Sequence, residues 1–290
     1  MDIRYIDAHC HLQFEQYDKD REEVIEQMQA QGVAAIVVGC DLESSKKAVE
    51  LAGQHEHLYA AVGVHPTDTS ERFDTDDLLA LAKHPKVVAI GECGLDYYRA
   101  QRANTEGSAS VFAKQAKGAS SAYFRPAEVN ESEKARQKEA FSRQIILAAE
   151  QDLPLIIHAR PSKGTMDAYH DVIALLTEAK GAYPDLRGDV HFFVGGVPEA
   201  EALIALGFTV SFTAVITFAR DYDEAVRAVP LAGMLAETDS PYVAPLSRRG
   251  KRNDPLAVVD VAAKIADIRG EDPEAVRRAL LANTKRLFGV

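Results

Sequence analysis

At 290 residues and 47% hydrophobic, the chain can bury a large core, and α/β barrels of this length commonly form one domain, so one domain over residues 1–290 is expected. The net charge of −11 argues against a broad electrostatic surface for nucleic acid, although a phosphate ester held locally at a metal centre stays open. With no apolar run of about eighteen residues, no charged-then-apolar leader and no CxxC pair among Cys10, Cys40 and Cys93, a membrane span is not expected and a reduced cytoplasmic protein is.

In chain order, the first predicted strand is Tyr5–Ala8, which runs into His9 and His11 in IDAHCHL. Two apart on extended chain, these imidazoles point the same way and can bind one ion together. An amphipathic helix over Arg21–Gln31 follows, with Val24, Ile25 and Met28 on one face. Strands are predicted at Ala34–Val38, Leu58–Val62 and Val87–Ile90, the last leading to Glu92 in VVAIGECGLDYY. Residues from about 100 to 130, rich in Ala, Ser, Gly and Lys, break the pattern and read as an insertion. It leaves the face on which Glu92 lies, and a lid presenting Lys114, Lys117 and Arg125 to an anionic substrate is one expectation for it. A helix over Lys138–Glu150 follows, with Phe141, Ile145, Ile146 and Ala149 on its apolar side. The remaining strands are Leu155–Ile157, ending near His158 in PLIIHAR; Val190–Phe193, holding His191 in DVHFF; Thr209–Phe212; and Met234–Ala236, preceding Asp239 in ETDSPY.

Near-continuous apolar strands separated by helices indicate a parallel sheet covered on both faces, and eight such units predict an α/β fold of the closed (β/α)8 TIM-barrel type. In such barrels the chemistry sits at the C-terminal ends of the strands. His9, His11, Glu92, His158, His191 and Asp239 all fall there. Four imidazoles and two carboxylates suit a pair of divalent cations, and imidazole favours Zn, Fe, Mn or Co. Cys10 and Cys93 adjoin ligand positions and read as small packing residues. These residues predict a metal-dependent hydrolase.

The motifs IDAHCHL, GVHP (Gly63–Pro66), IGECGLDYY (Ile90–Tyr98), PLIIHAR (Pro154–Arg160), ETDSPY (Glu237–Tyr242), RNDP (Arg252–Pro255) and NTKRLF (Asn283–Phe288) occur in one order along the chain. In that order the sequence resembles the TatD family of metal-dependent deoxyribonucleases, within the amidohydrolase superfamily. The resemblance implies that His9, His11 and Asp239 hold one metal and His158 and His191 the other, with Glu92 bridging. It also implies substrate contacts from His65, Arg160 and Tyr97, and it admits Mg beside Zn and Mn. Single-stranded or damaged DNA would be the substrate, shortened as by an exonuclease, and no obligate protein partner is evident. Asp239 would take the proton from the attacking water, making Asp239 and Glu92 the catalytic pair. The alternative is an ester or amide hydrolase such as an aminoacyl-tRNA deacylase. Two departures bear on substrate preference: Pro161 follows HAR where an acidic residue is common, and HFFVGG stands where the family often has HCFSG.

Overall fold

The computed structural model describes residues 2–68, 74–98 and 131–290. Eight strands alternate with helices: β1 (Tyr5–Cys10), α1 (Arg21–Gln31), β2 (Val33–Val38), α2 (Leu42–Gln54), β3 (Leu58–Val62), α3 (Thr75–Ala82), β4 (Val87–Asp96) and α4 (Glu131–Glu150). The second half runs β5 (Leu155–Arg160), α5 (Asp167–Ala182), β6 (Gly188–Val190), α6 (Val197–Ala205), β7 (Thr209–Phe212), α7 (Asp223–Ala228), β8 (Met234–Ala236), α8 (Val258–Arg269) and α9 (Pro273–Phe288). All pairings are parallel and follow chain order from β1 to β8, which is the predicted (β/α)8 barrel. Among the described residues no helix is long and apolar enough to cross a membrane.

The barrel closes just beyond β8. Cys10 bridges Ser240, the His9 carbonyl accepts from Asp239 N at 2.9 Å, and His11 N donates to the Ser240 carbonyl at 2.8 Å. The seam therefore sets Asp239 beside His9 of β1 and His11 just beyond it.

Strand alternation divides the core into two layers. Val33, Ala35 and Val37 of β2 share one cluster with Val24, Ile25 and Met28 of α1 and Ala48 and Ala52 of α2. Ile36 and Val38 join Ala61, Ala89, Ile156 and Leu235 in a second cluster inside the barrel, where Leu287 and Phe288 at the end of α9 also pack. The outward layer is the helix–sheet core, and the end of α9 closes the floor of the barrel.

Several predicted boundaries move. The fourth strand, expected to stop at Ile90, continues to Asp96. A Cβ on Gly91 would lie 2.7 Å from Ile156 Cβ, and one on Gly94 (φ +127°) would collide with the His158 carbonyl. Those glycines permit a close approach to β5 rather than ending the strand. Val190–Phe193 contracts to Gly188–Val190, because Phe192 turns to φ 47° and its amide donates to Glu237 Oε1 instead of continuing the ladder. Helix α4 begins at Glu131, seven residues before the predicted Lys138, because its first turns are polar and carry no apolar period. The proposed lid residues Lys114, Lys117 and Arg125 lie outside the described residues.

Candidate metal centre

The two oxygens of Glu92 face different partners. Oε2 lies 3.5 Å from His9 Nε2 and 3.8 Å from His11 Nε2, which are 3.2 Å apart. Asp239 Oδ1 completes this group at 3.4 Å from His11 Nε2 and 3.9 Å from His9 Nε2. On the other side, Glu92 Oε1 lies 2.8 Å from His191 Nε2 and 2.9 Å from His158 Nδ1, which are 3.2 Å apart. Donor atoms bound to one cation at metal–ligand distances of ~2.0–2.2 Å sit roughly 3.0–3.5 Å from one another. Both groups approximate that spacing, so the residues present fit two divalent cations sharing Glu92.

The strands explain the arrangement. His9 and His158 lie within β1 and β5, His11 and His191 one residue beyond β1 and β6, and Asp239 three beyond β8. Glu92 is central because it lies midway along β4 and projects between the two histidine groups. Asp239 has φ 50° and Phe192 φ 47°, so two non-glycine residues in the left-handed region flank the site. Such conformations gather where a surrounding structure holds side chains in a set geometry.

Outer partners orient the imidazoles. His11 Nδ1 lies 2.8 Å from the Val38 carbonyl, His158 Nε2 3.2 Å from Asp96 Oδ2, and His191 Nδ1 3.5 Å from Glu237 Oε1. His9 Nδ1 is buried without a hydrogen-bond partner among the described residues. Glu237 also accepts from the Ser211 hydroxyl (2.7 Å), which approaches Asp189 at 2.6 Å; Asp189 accepts from Thr209 at 2.5 Å. Across the seam, Asp7 accepts from the Thr238 hydroxyl and amide and from His9 N. Asp7, Asp96, Asp189 and Glu237 are not in the ligand set read from sequence. The signal for three of them was alternation: Asp7, Asp189 and Glu237 each precede a candidate ligand by two residues.

Electrostatics follow from burial and crowding. Burial opposes ionisation of Glu92, but the imidazoles of His191 and His65 and hydrogen bonds from His158 and His191 hold it well below the usual carboxylate range. Burial disfavours a charged His191, yet Glu92 and Glu237 raise its pKa well above the ordinary value. Asp239 is held low against its burial by His11 and His9. Asp189 is pushed up to about 7, by burial first and then by the charge of Glu237.

The remaining predicted residues divide. His65 reaches the cluster, with Nε2 3.3 Å from Glu92 Oε1 and Nδ1 2.8 Å from the Thr67 hydroxyl. Arg160, the last residue of β5, stacks its guanidinium over Tyr98 at 4.4 Å from the ring centroid. Tyr97 turns elsewhere: it is buried, and its hydroxyl donates to Asp171 of α5 at 2.9 Å. Of the cysteines, Cys10 and Cys93 point at backbone carbonyls of Ile36 and Ile156, whereas Cys40 lies at the site. Its Sγ is 3.6 Å from Glu92 Oε2 and 3.8 Å from His11 Nδ1.

Two glutamines of α4 brace the site from behind. Gln144 accepts from Val64 N and donates to Val64 O, at 2.8 and 3.0 Å, fixing the segment that carries His65. Gln137 does the same for Asp96, at 2.9 and 3.1 Å. Both are nearly inaccessible to solvent, so each satisfies backbone groups that would otherwise be stranded. The cluster meets solvent at His158 and Asp239, with 15% and 17% of their side chains exposed. A substrate approaching from outside would arrive over these two.

The chain is similar over its whole length to known proteins. The sequence matches the family described as TatD related DNase over residues 6–124 and 125–289. It is 37% identical over 289 residues to the uncharacterized metal-dependent hydrolase YabD of Bacillus subtilis, covering 98% of each chain. It is 31% identical over 294 residues to the 3'-5' ssDNA/RNA exonuclease TatD of Citrobacter koseri, again covering 98% of each. The crystal structure of YJJV, a TatD homologue of Escherichia coli, superposes with a TM-score of 0.80 at 28% identity, covering all of both chains.

Proposed function

The chain belongs to the TatD-related DNase family, and from that premise we propose that it is a metal-dependent hydrolase that shortens single-stranded nucleic acid by cleaving phosphodiester bonds. The observation that carries the reading is the division of Glu92, one oxygen to each histidine group, which suits a pair of cations rather than one. The relative named as a 3'-5' ssDNA/RNA exonuclease supports the nucleic-acid substrate. When bound, the two divalent ions (Zn, Mn or Mg) supply Lewis-acid polarisation of the phosphoryl group and an attacking water acidic enough to react at neutral pH.

The protein's own groups take the following roles in this proposal. His9, His11 and Asp239 would hold one ion and His158 and His191 the other, with Glu92 shared between them. Asp239 accepts a proton at a carboxylate oxygen as general base; its exposure at the open side of the cluster supports this. His65, against Glu92 Oε1, contacts a phosphate oxygen, and Arg160 does so at the rim. We assign no substrate contact to Tyr97, whose hydroxyl is engaged with Asp171. Residues 1–290 act as one catalytic unit in the cytoplasm, in keeping with three unbridged, buried thiols.

The test uses protein stripped and reloaded separately with Mg, Mn and Zn, incubated with end-labelled single-stranded DNA beside Glu92→Gln. Stepwise shortening that needs metal and falls at least ~100-fold in the variant is expected, because even residues that only orient ligands are worth 10–100-fold. Intact DNA after incubation with wild-type protein holding two ions would reject the nuclease reading and turn attention to carboxylic esters.

A further inference from the structure

After β8 the chain leaves the barrel at Pro241, two residues past Asp239, and returns at Asn253. The base of this excursion is fastened. Asn253 N donates to the Pro241 carbonyl at 3.0 Å, its side-chain amide donates to Thr238 and Val243 carbonyls at 3.2 and 3.3 Å, and Tyr17 donates its hydroxyl to the Asn253 carbonyl at 2.7 Å. Further out, Leu246 N donates to the Thr217 hydroxyl at 2.9 Å, tying the loop to the segment after β7. A long loop secured this way keeps its side chains in a set position at the strand-end face of the barrel.

In a chain of net charge −11, this loop gathers Arg248, Arg249, Lys251 and Arg252. Two of the four are neutralised. Arg248 pairs with Asp254 at 2.6 Å, and Arg252 grips both oxygens of Asp20 at 2.7 Å while lying 4.3 Å from the Tyr17 ring centroid. Those two hold the loop down. Arg249 and Lys251 are exposed, and among the described residues no carboxylate lies within ion-pair distance of either. The Arg249 guanidinium lies 3.9 Å from the centroid of Phe218, a half-buried ring on the segment after β7. Leu246 beside it is 61% exposed. Cations with no carboxylate partner among the described residues, next to an aromatic side chain and an exposed aliphatic chain, are the components of single-strand recognition: charge for the backbone and an apolar surface for a base.

We propose that this loop is a second contact surface for single-stranded nucleic acid, in which Arg249 and Lys251 bind backbone phosphates of nucleotides beyond the one at the metal centre and Phe218 with Leu246 supports a base. The inference rests on the nuclease reading and adds how an acidic protein holds a polyanion. The attraction is local, confined to the strand leaving the site, so it favours a chain end over a long duplex.

Arg249→Gln/Lys251→Gln removes both charges and keeps side-chain length. Metal-loaded wild type and the variant are compared on a single-stranded 12-mer and on bis(4-nitrophenyl) phosphate, a diester that reaches only the metal centre, across a range of salt. The variant should raise KM for the 12-mer about 10-fold at low salt and flatten the log KM against log salt slope by about 1.4, two contacts at ~0.7 each. Turnover of the small diester and metal content should stay within about twofold of wild type. An unchanged salt slope, or an equal loss on both substrates, would overturn the proposal and make Arg249 a packing cover for Phe218. Wild type that cleaves the small diester but neither binds nor cleaves the 12-mer would overturn it while leaving a hydrolase; cleavage of neither substrate would reject the nuclease reading itself.

Discussion

Glu92 illustrates how a single residue acquires its character from neighbours. A buried carboxylate alone would take up a proton, yet five imidazoles within 4 Å of its oxygens keep it ionised. The groups that orient those imidazoles matter nearly as much as the donors. Asp96→Asn retains the shape but weakens the contact to His158 Nε2, and Glu237→Gln does so for His191 Nδ1. Each is expected to lower metal affinity or turnover roughly 10–100-fold, read by metal titration and by activity at saturating metal. Unchanged values in both variants would show that the strands alone hold the imidazoles. The six candidate ligands could be singled out in the sequence because four histidines and two acids gathered at strand ends are an uncommon pattern. Cys40 was not, since nothing in VGCD signals that its thiol meets a carboxylate 52 residues away.

At the scale of elements, β4 and β5 bring Glu92 and His158 together through glycines. A Cβ on Gly94 would strike the His158 carbonyl at a φ that L side chains rarely adopt. Gly94→Ala should therefore cost about 1–3 kcal/mol from backbone strain alone, seen as a lower denaturant midpoint, together with reduced metal content. The segment before α5 provides a pH-dependent contribution. Burial works against ionised Asp167, but the Ser162 amide and hydroxyl, the Thr165 hydroxyl and Lys134 hold its carboxyl below the usual range. Because the folded value is depressed, this stabilisation is complete above the unfolded value near ~4 and is lost as pH falls below it. The stability difference between wild type and Asp167→Asn should shrink from about pH 6 to about pH 3 in urea melts; a constant difference would mean that the charge contributes nothing. Gln137 and Gln144 show why helix faces are only partly legible. Each occupies a core-facing position of α4 and looks like a break in apolar periodicity, until the backbone it clamps is visible.

For the molecule as a whole, the site lies along the closing seam. His9 and His11 come from the first strand and the residue just after it, Asp239 from the segment after the last, and the hydrogen bonds of His9 with Asp239 and of His11 with Ser240 join the two ends of the sheet. Metal bound there should stabilise the entire barrel. At metal about 100-fold above Kd the gain is ~2.7 kcal/mol, which for a protein of this size shifts Tm by roughly 4–5 °C. Chelation should lower Tm by that amount in calorimetry, and Glu92→Gln should lose most of the shift. A wild-type Tm indifferent to chelator would argue against a bound pair of ions.

The sequence by itself determined the number and order of the strands and the parallel barrel, and it singled out the candidate metal-binding side chains, because apolar periodicity and strand-end histidines are local patterns. Only the tertiary structure decided that Glu92 divides its oxygens between two groups and that Tyr97 faces α5. It also decided which cysteine reaches the site, and that two of the four loop cations are already paired. These depend on distances between residues far apart in the chain, set by barrel closure and register, and local patterning carries no record of them.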